Sequence, residues 1–361
     1  MPATNKRLKQ NDINLTRNRF PHRIQFDIKL IGGKMLGKMA VRSIPPEVLS
    51  GLETLAAQHD RSVEAEARFA LRSWVEPLMQ RHVRSARRAE VAARLTDLLD
   101  QVNKAHHGRS IKPSHIAQAI GEDYAEHVEN WFTGEAEPSF GQLEAVACYL
   151  GAVPAWLQHG DRCKFPVDTY RLSDDPAEAT QWLLDIGSDK PVQFLHIVRQ
   201  NNEAGQLTIV KQYEDWHCTT WSTPIHVSEE IGAGGERALA ALSVTLELLY
   251  KYYCRPSSTR AAVKVIKSYL LEPSGYKALL NGNAHPLMIL RDASERPWWE
   301  DIWDVDQFRD HSNYWPGWRQ LCERIYRAVG HMSGLAQQRE LIKRGQHPLL
   351  QPTAFADVGS T

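Results

Sequence analysis

The first regular pattern of hydrophobic and polar positions begins at Lys38. From Lys38 to Ile44 the side chains alternate with the period of two that is typical of a β-strand. The two faces of this strand carry Lys38, Ala40 and Arg42 on one side, and Met39 and Val41 on the other. A pair of prolines follows and ends the strand. A shift of one residue would exchange the two faces, so the choice of outward side chains depends on the register.

Two amphipathic helices are predicted after the strand. The first begins at Pro46, and the second follows the break "HDRS", with Ser62 as its N-cap. Apolar residues recur at helical spacing in both helices: Val48, Leu49, Leu52, Leu55 and Ala56, then Ala67, Ala70, Leu71, Trp74 and Val75. A short strand is not stable alone, and the chain holds no second copy of it. We therefore expect it to pair with the same strand of a second subunit.

The stretch "MAVRSIPPEVLSGLETLAAQHDRSVEAEARFAL" resembles the ribbon-helix-helix proteins of the Arc/MetJ superfamily, and in particular the short FitA-type antitoxins. The resemblance implies a dimer whose two strands form an antiparallel ribbon in the major groove of DNA. The contacting residues that it implies are Lys38, Ala40, Arg42 and Ser43 for the bases, and Arg61 and Ser62, at the start of the second helix, for a phosphate. The alternative is a generic helical hairpin behind an unrelated strand.

A second DNA-binding pattern follows a basic helical connector at residues 79–93. Helices are predicted at about residues 94–104 and from Pro113, Tyr124 and Ser139, with a glycine turn at Gly121. The pieces "HIAQAIG", "WFTGEAEPS" and "LEAVACYLGAVPAWLQHG" resemble the lambda-repressor/Cro-like (XRE) helix-turn-helix domain. The resemblance implies that residues 94–160 form this domain and that the helix after Gly121 is its recognition helix.

The candidate recognition helix is acidic, which DNA binding does not favour. Its carboxylates are Glu122, Asp123, Glu126 and Glu129, whereas only Tyr124, His127 and Asn130 offer useful contacts to DNA. Two alternatives stay open: the helix contacts DNA, or the domain is retained for packing or for protein contact. The strand, with Lys38 and Arg42, is the better candidate for reading sequence.

Charge is balanced over the whole chain, with 43 basic and 43 acidic residues, but it is not evenly distributed. From Lys6 to Lys38 there are nine Lys or Arg residues and His22, against Asp12 and Asp27. Such a block suits polyanions. Residues 1–34 are therefore either a disordered basic extension that gains phosphate contacts, or the product of a reading frame that starts upstream of the true start at Met35 or Met39.

Residues 161–345 predict an α+β domain, and they carry no motif of a family that we recognise. The predicted strands are Pro191–Val198, Gln206–Tyr213 and a third within residues 215–227. The predicted helices are Ala177–Ile186, Leu239–Tyr253, Ser258–Leu271, Gly275–Leu280, Trp298–Asp304 and Tyr314–Leu335. Residues 346–361 predict a disordered tail. The expected fold is mainly α with a small β component.

Candidate chemistry in this half is weak. The stretch "GAGGE" lacks the Lys-Ser/Thr of a phosphate loop and is interpreted as a loop before a helix. His217 and Cys218 have no readable base, and His311 and His331 with nearby aspartates fit no metal pattern. The five cysteines are scattered without zinc spacing. We expect no cofactor, no metal and no enzymatic activity.

Five tryptophans lie close together in this half: Trp298, Trp299, Trp303, Trp315 and Trp318. Such aromatic density can line a ligand pocket or a protein interface. It can also build a small hydrophobic core, which is the interpretation we favour.

The sequence thus predicts a cytoplasmic, nucleoid-associated bacterial transcription regulator, a repressor or activator that binds double-stranded DNA as a homodimer. The C-terminal half would bind an effector, oligomerise or contact a protein partner. No apolar run approaches the roughly 20 residues of a membrane span. The main alternative is an antitoxin-type protein whose C-terminal half neutralises or docks another protein. An enzyme with a DNA-targeting front is the weakest hypothesis, because no catalytic constellation stands out.

Overall fold

The structure, a computed structural model, describes residues 25–31, 34–41, 43–105, 108–214, 216–256, 263–310 and 313–351. The chain divides into two compact units, Met1–Val83 and Arg84–Thr361. Each unit is described by itself.

In the first unit, two strands form an antiparallel pair. These are β1 (Gln25–Ile31) and β2 (Lys34–Ala40), with Gln25 opposite Ala40. The predicted strand Lys38–Ile44 is wrong in its bounds. Its pairing with a second subunit stays a prediction, and within the chain β2 pairs with β1. The reason lies just upstream: residues 25–31 alternate apolar and polar positions, so they supply a strand that a short β2 needs. Residues 1–24 lie outside the described part of the chain.

Two helices follow, α1 (Pro46–Gln58) and α2 (Val63–Ala105). Pro46 stands in the first turn of α1, where its missing N–H costs no helical hydrogen bond. The predicted break between the second helix and the connector at residues 79–93 is wrong, because α2 runs through Pro77 without interruption for 43 residues and crosses the boundary between the units. A proline removes one helical hydrogen bond, and the good helix formers that follow it continue the helix.

The second unit begins with a helical lobe of short elements packed on the end of α2. They are α3 (Pro113–Ile120), α4 (Ala125–Thr133), α5 (Phe140–Leu150) and α6 (Pro154–His159). The predicted order of helices is confirmed, and local chemistry explains it. Gly121 ends α3 with a φ of 80°, a conformation that favours glycine. Ser139 caps α5 by accepting from the N–H of Gln142.

A six-stranded sheet forms the centre of the second lobe, in the order β3-β6-β5-β4-β7-β8. The strands are β3 (Val167–Thr169), β4 (Phe194–Gln200), β5 (Gln206–Gln212), β6 (Cys218–His226), β7 (Val265–Leu271) and β8 (Ser294–Glu295). β4 is antiparallel to β5 and parallel to β7, and β5 is antiparallel to β6. The predicted helix Ser258–Leu271 is wrong over β7. A short apolar run cannot be assigned by periodicity when both faces are buried.

Helices cover the sheet. They are α7 (Pro176–Leu184), α8 (Ala233–Tyr253), α9 (Pro273–Asn281), α10 (Pro286–Arg291), α11 (Trp298–Asp301), α12 (Val305–Asp310), α13 (Trp318–His331) and α14 (Ser333–Lys343). A short 3-10 helix, Pro348–Leu350, falls within the predicted disordered tail, and residues 352–361 lie outside the described part. Trp298, Trp299 and Trp318 are fully buried, so the core interpretation of the tryptophans is confirmed for them. The fold is mainly α with a small β component, as predicted.

The helical lobe and the sheet lobe are joined by hydrogen bonds between main chain and side chains. The backbone N–H of His285 donates to the side-chain oxygen of Gln101, and the indole N–H of Trp216 donates to the carbonyl of Tyr149. Phe165 donates its N–H to the carbonyl of Gly282 at 2.8 Å. A Cβ at Gly282 would lie only 2.7 Å from the carbonyl oxygen of Phe165, so this close approach needs glycine. The two lobes therefore form one body.

Candidate nucleic-acid interface

The predicted base-contacting residues fall at the end of β2 and directly after it. Lys38 lies opposite Asp27 and Ala40 opposite Gln25, two positions apart and so on one face of the strand pair. Ser43 is exposed and has a φ of 61°. Arg42 lies outside the described residues. The backbone places Lys38 and Ala40 together, and base contact by all four residues stays a prediction.

The turn between α1 and α2 carries the predicted phosphate site. Ser62 accepts from the N–H of Ala65 at 3.2 Å, so it caps α2 as predicted. Arg61 lies 3.5 Å from Oε2 of Glu66, and its guanidinium lies 4.7 Å from the ring of Phe69. His59 places Nδ1 3.0 Å from the other oxygen of Glu66. The carboxylate of Glu66 thus holds the side chains of Arg61 and His59 in the turn between α1 and α2.

The role of Glu66 at this candidate site was not predicted from the sequence. Its residue exposure is 3%, although glutamate is almost never buried unless it is paired. The available signal was its position on the inward face of α2, three residues after Val63, where helical spacing favours an apolar residue. Glu66 orients Arg61 and His59 beside the first turn of α2, whose backbone N–H groups attract anions.

The helices of the first unit expose most of their apolar side chains. The exposed set is Val41, Ile44, Val48, Leu49, Leu55, Phe69, Leu71, Trp74 and Val75, with Trp74 at 78%. We call these nine residues the open apolar face. Exposed apolar surface of this extent marks an interaction site, since soluble monomers rarely show it.

The three predicted contacts of the helix-turn-helix pattern lie on or beside α4. Tyr124 is the N-cap residue of α4 and is 67% exposed, and its ring meets His127 edge-on at 5.7 Å. Nδ1 of His127 lies 3.2 Å from Glu122. Asn130 is half-buried. The structure brings Tyr124 and His127 together, but it places a carboxylate beside the histidine.

Acidic side chains lie on α4 and directly before it. Asp123, Glu126 and Glu129 are exposed, and they make no ion pair within the described part of the chain. Three arginines of α2 make contacts within the helical lobe instead. Arg87 binds Glu137, Arg88 donates to the carbonyl of Glu135, and Arg94 donates to the carbonyl of Leu157. These three arginines therefore close the helical lobe.

The residues considered from the sequence for catalysis or phosphate binding make contacts within the fold. Cys218 is buried, which raises the pKa of its thiol and disfavours the nucleophilic thiolate. His217 donates through Nε2 to the carbonyl of Tyr149, and "GAGGE" begins α8 with Gly232 as its N-cap. Of the described residues, no three His, Cys, Asp or Glu side chains converge as metal ligands, and no helix among them is long and apolar enough to cross a membrane. His311 lies outside them.

A strand that leads into two helices, with a capped basic turn between them and an open apolar face, defines a strand-helix-helix unit. Residues 38–75 match the family model described as antitoxin FitA-like, ribbon-helix-helix. The ribbon-helix-helix prediction is confirmed for this segment, which is about a tenth of the chain. No curated protein and no solved structure matches the chain. The helix-turn-helix resemblance and the family of the C-terminal half are not tested by these comparisons.

Proposed function

We propose that this protein is a sequence-specific DNA-binding transcription regulator that acts as a homodimer through residues 38–75. The open apolar face is the observation that carries this proposal, because it lies within the segment that matches the ribbon-helix-helix family. Burial of a large apolar side chain contributes about 1.5–3 kcal/mol. A second copy, related by a two-fold axis, offers the same exposed side chains, so the two copies can bury them against each other.

The strand pair is compatible with a ribbon between two subunits. Of the strands that the structure describes, only β1 pairs with β2, so the other edge of β2 is open to the β2 of a second copy. In that arrangement Lys38, Ala40, Arg42 and Ser43 meet the bases, while Arg61 and Ser62 meet a phosphate. Tyr124, His127 and Asn130 would assist from α4.

Arg42→Ala tests this assignment. An arginine that reads a guanine contributes about 1–3 kcal/mol of discrimination. The variant should lose at least about tenfold in affinity for an operator selected from random duplexes, but little for unrelated DNA. Fluorescence anisotropy with both duplexes measures the two affinities. Arg68→Ala, on the exposed surface of α2, is the matched control. Unchanged operator binding by the Arg42 variant would contradict the ribbon assignment.

A second candidate function is suggested by the description of the matching family, which is one of antitoxins. The second unit would then neutralise a partner protein while the ribbon binds DNA. Expression of the chain together with the product of a short neighbouring gene tests this candidate. We would expect co-purification and relief of growth arrest if it holds. Operator binding without any such partner would favour regulation alone.

A further inference from the structure

A cleft opens at the carboxyl ends of two strands that run in the same direction. β4 and β6 are both antiparallel to β5, and the loops after them form one side of the cleft. Trp315 and Pro316 form the opposite side, and the cavity measures about 370 Å³. We call it the Arg199 cleft, after the most fully buried of the residues that line it. Ligands of open α/β sheets bind outside the carboxyl ends of the strands.

Arg199 is a buried charge without a carboxylate partner. It is 2% exposed, and no acidic side chain among the described residues lies within 4.0 Å of it. Its guanidinium donates to the carbonyls of Val227, Gln200 and Asn202 at 2.9, 2.9 and 3.1 Å. Since arginine has five N–H groups, two find no acceptor among the described residues. Burial lowers the pKa of Arg199 to about 10, because the charged form loses water.

The other buried charges of this lobe have counter-ions. Arg339 lies against Glu247, and Lys211 lies against Asp185. Proteins rarely bury a charge without a partner, because the transfer out of water is costly. The face of Trp315, 4.0 Å from the guanidinium, offsets only part of this cost. An anion bound to the two remaining N–H groups would supply the missing partner.

The cleft is rigidly built around the guanidinium. Ser228 donates through Oγ to the carbonyl of Glu203 at 2.6 Å, which ties the two loops together. Gly205 has a φ of 55°, and a Cβ there would lie 2.3 Å from the carbonyl oxygen of Val227 and 2.7 Å from Nη2 of Arg199. The turn after β4 can therefore close on Arg199 only with glycine at this position. Such preorganisation lowers the entropic cost of binding a ligand.

The rim of the cleft selects the kind of anion. Glu203, Glu229 and Glu230 line it and are exposed. Three carboxylates would repel a multiply charged anion such as phosphate. They would attract a protonated amine that is carried by the same molecule as the anionic group. The cleft thus presents a cationic floor, an anionic rim and one aromatic wall.

We propose that the Arg199 cleft binds a small zwitterion of the α-amino acid class. The carboxylate of the ligand accepts from the two remaining N–H groups of Arg199. Its ammonium group lies among the glutamates of the rim. This inference does not depend on DNA binding, and it would make the second unit the part of the protein that responds to a small molecule.

Thermal unfolding of the full-length protein tests the proposal, with each of the twenty L-α-amino acids present at about 5 mM. A ligand that binds only the folded state raises Tm in proportion to the logarithm of its concentration over Kd. We expect at least one amino acid to raise Tm by several degrees and to titrate calorimetrically. Acetate, methylammonium and phosphate at equal concentration should give no shift. The proposal would be overturned if no amino acid raised Tm, or if any of the three ions raised it equally.

Substitution of the rim locates the binding site. Glu203→Gln with Glu230→Gln removes two exposed charges without altering the fold, and should weaken Kd for the amino acid at least about tenfold. Glu126→Gln with Glu144→Gln, two exposed acids of the helical lobe, is the matched control and should bind normally. Binding that survives the rim substitutions would place the ligand elsewhere and refute the assignment. Far-UV circular dichroism confirms that both variants remain folded.

Discussion

Among the described residues of the first unit, Ala56 is the single buried apolar side chain, whereas the second unit contains three clusters of buried apolar residues. The two units therefore reach stability in different ways. The second unit surrounds its own core, as a domain of its size can. The described helices of the first unit leave most of their apolar side chains exposed, which is typical of a surface that binds a partner. For the proposed dimer, the apolar area that residues 38–75 bury between the two copies is therefore the relevant quantity.

Of the substitutions considered, Arg339→Ala should lower the free energy of unfolding the most. It tests whether the second unit is stabilised by its own buried contacts. Arg339 donates to Glu247 at 2.9 Å in the helical layer, and both side chains are buried. Removal of the guanidinium leaves a buried carboxylate unpaired, which costs about 3–5 kcal/mol. Urea unfolding followed by tryptophan fluorescence measures the loss. Lys343→Ala, which breaks an exposed pair with Glu340, should cost less than about 1 kcal/mol.

The stability of the Arg339→Ala variant should depend on pH. Desolvation raises the pKa of Glu247, and the attraction of Arg339 works against this increase. Without Arg339, the folded state holds the proton of Glu247 more tightly than the unfolded state does. Stability of the variant therefore falls as pH rises through the folded-state pKa, and it recovers on acidification. An equal loss at pH of about 5 and about 8 would show that the pair is not the cause.

Leu55→Glu combined with Trp74→Glu tests whether the open apolar face of the first unit is a dimer interface. Both residues belong to the open apolar face, and a charge at each would have to be desolvated in a dimer. We expect the dimer dissociation constant to increase at least about a hundredfold, which is about 2.7 kcal/mol. Sedimentation velocity over a range of concentrations measures it.

The matched control for this variant changes two exposed aromatic residues of the second unit, Tyr124→Glu and Phe140→Glu. It should remain as dimeric as the unchanged protein. If both double variants dissociate equally, the dimer interface does not lie in residues 38–75. If neither dissociates, the open apolar face has another role, such as contact with a different protein.

Neutralising the acidic residues on and directly before α4 should have a smaller effect. It tests whether the helical lobe contacts DNA together with the first unit. Asp123→Asn, Glu126→Gln and Glu129→Gln together remove three carboxylates that would repel phosphates. If α4 assists the ribbon, operator affinity should rise several-fold at low salt, and the gain should shrink as salt is added. Anisotropy titrations at several salt concentrations measure this. Glu144→Gln is the single-site control. Unchanged affinity at every salt concentration would favour a role of the helical lobe in packing or protein contact.

Sequence patterns predicted the elements whose ends are set by local chemistry. Pro46 and Pro113 begin helices, Gly121 ends one, and Ser62 and Ser139 cap two others. Each of these signals acts within about four residues, so it can be read from the chain directly. The continuation of α2 past Pro77 was missed because a proline weakens a helix without always ending it.

Elements that depend on distant partners were harder to predict. β7 is a strand because it pairs with β4, which precedes it by about seventy residues. The pairing of β2 with β1 of the same chain was likewise not predicted. At the candidate site, Arg61 and Ser62 were predicted from a motif, whereas Glu66 was not. Its role depends on burial, which no local pattern states. The unpaired charge of Arg199 is invisible in the sequence for the same reason.

Ser62→Ala should have the smallest effect, and it separates two roles of one residue. Loss of the cap to Ala65 costs about 1 kcal/mol of helix stability. If Ser62 also contacts a phosphate, the variant loses affinity for operator and for unrelated DNA by the same factor, because phosphate contacts carry no sequence information. Ser62→Asp keeps a capping oxygen but adds a negative charge. It should restore stability and weaken DNA binding further. Restoration of both properties by aspartate would mean that Ser62 only caps α2 and that the phosphate is held by Arg61 alone.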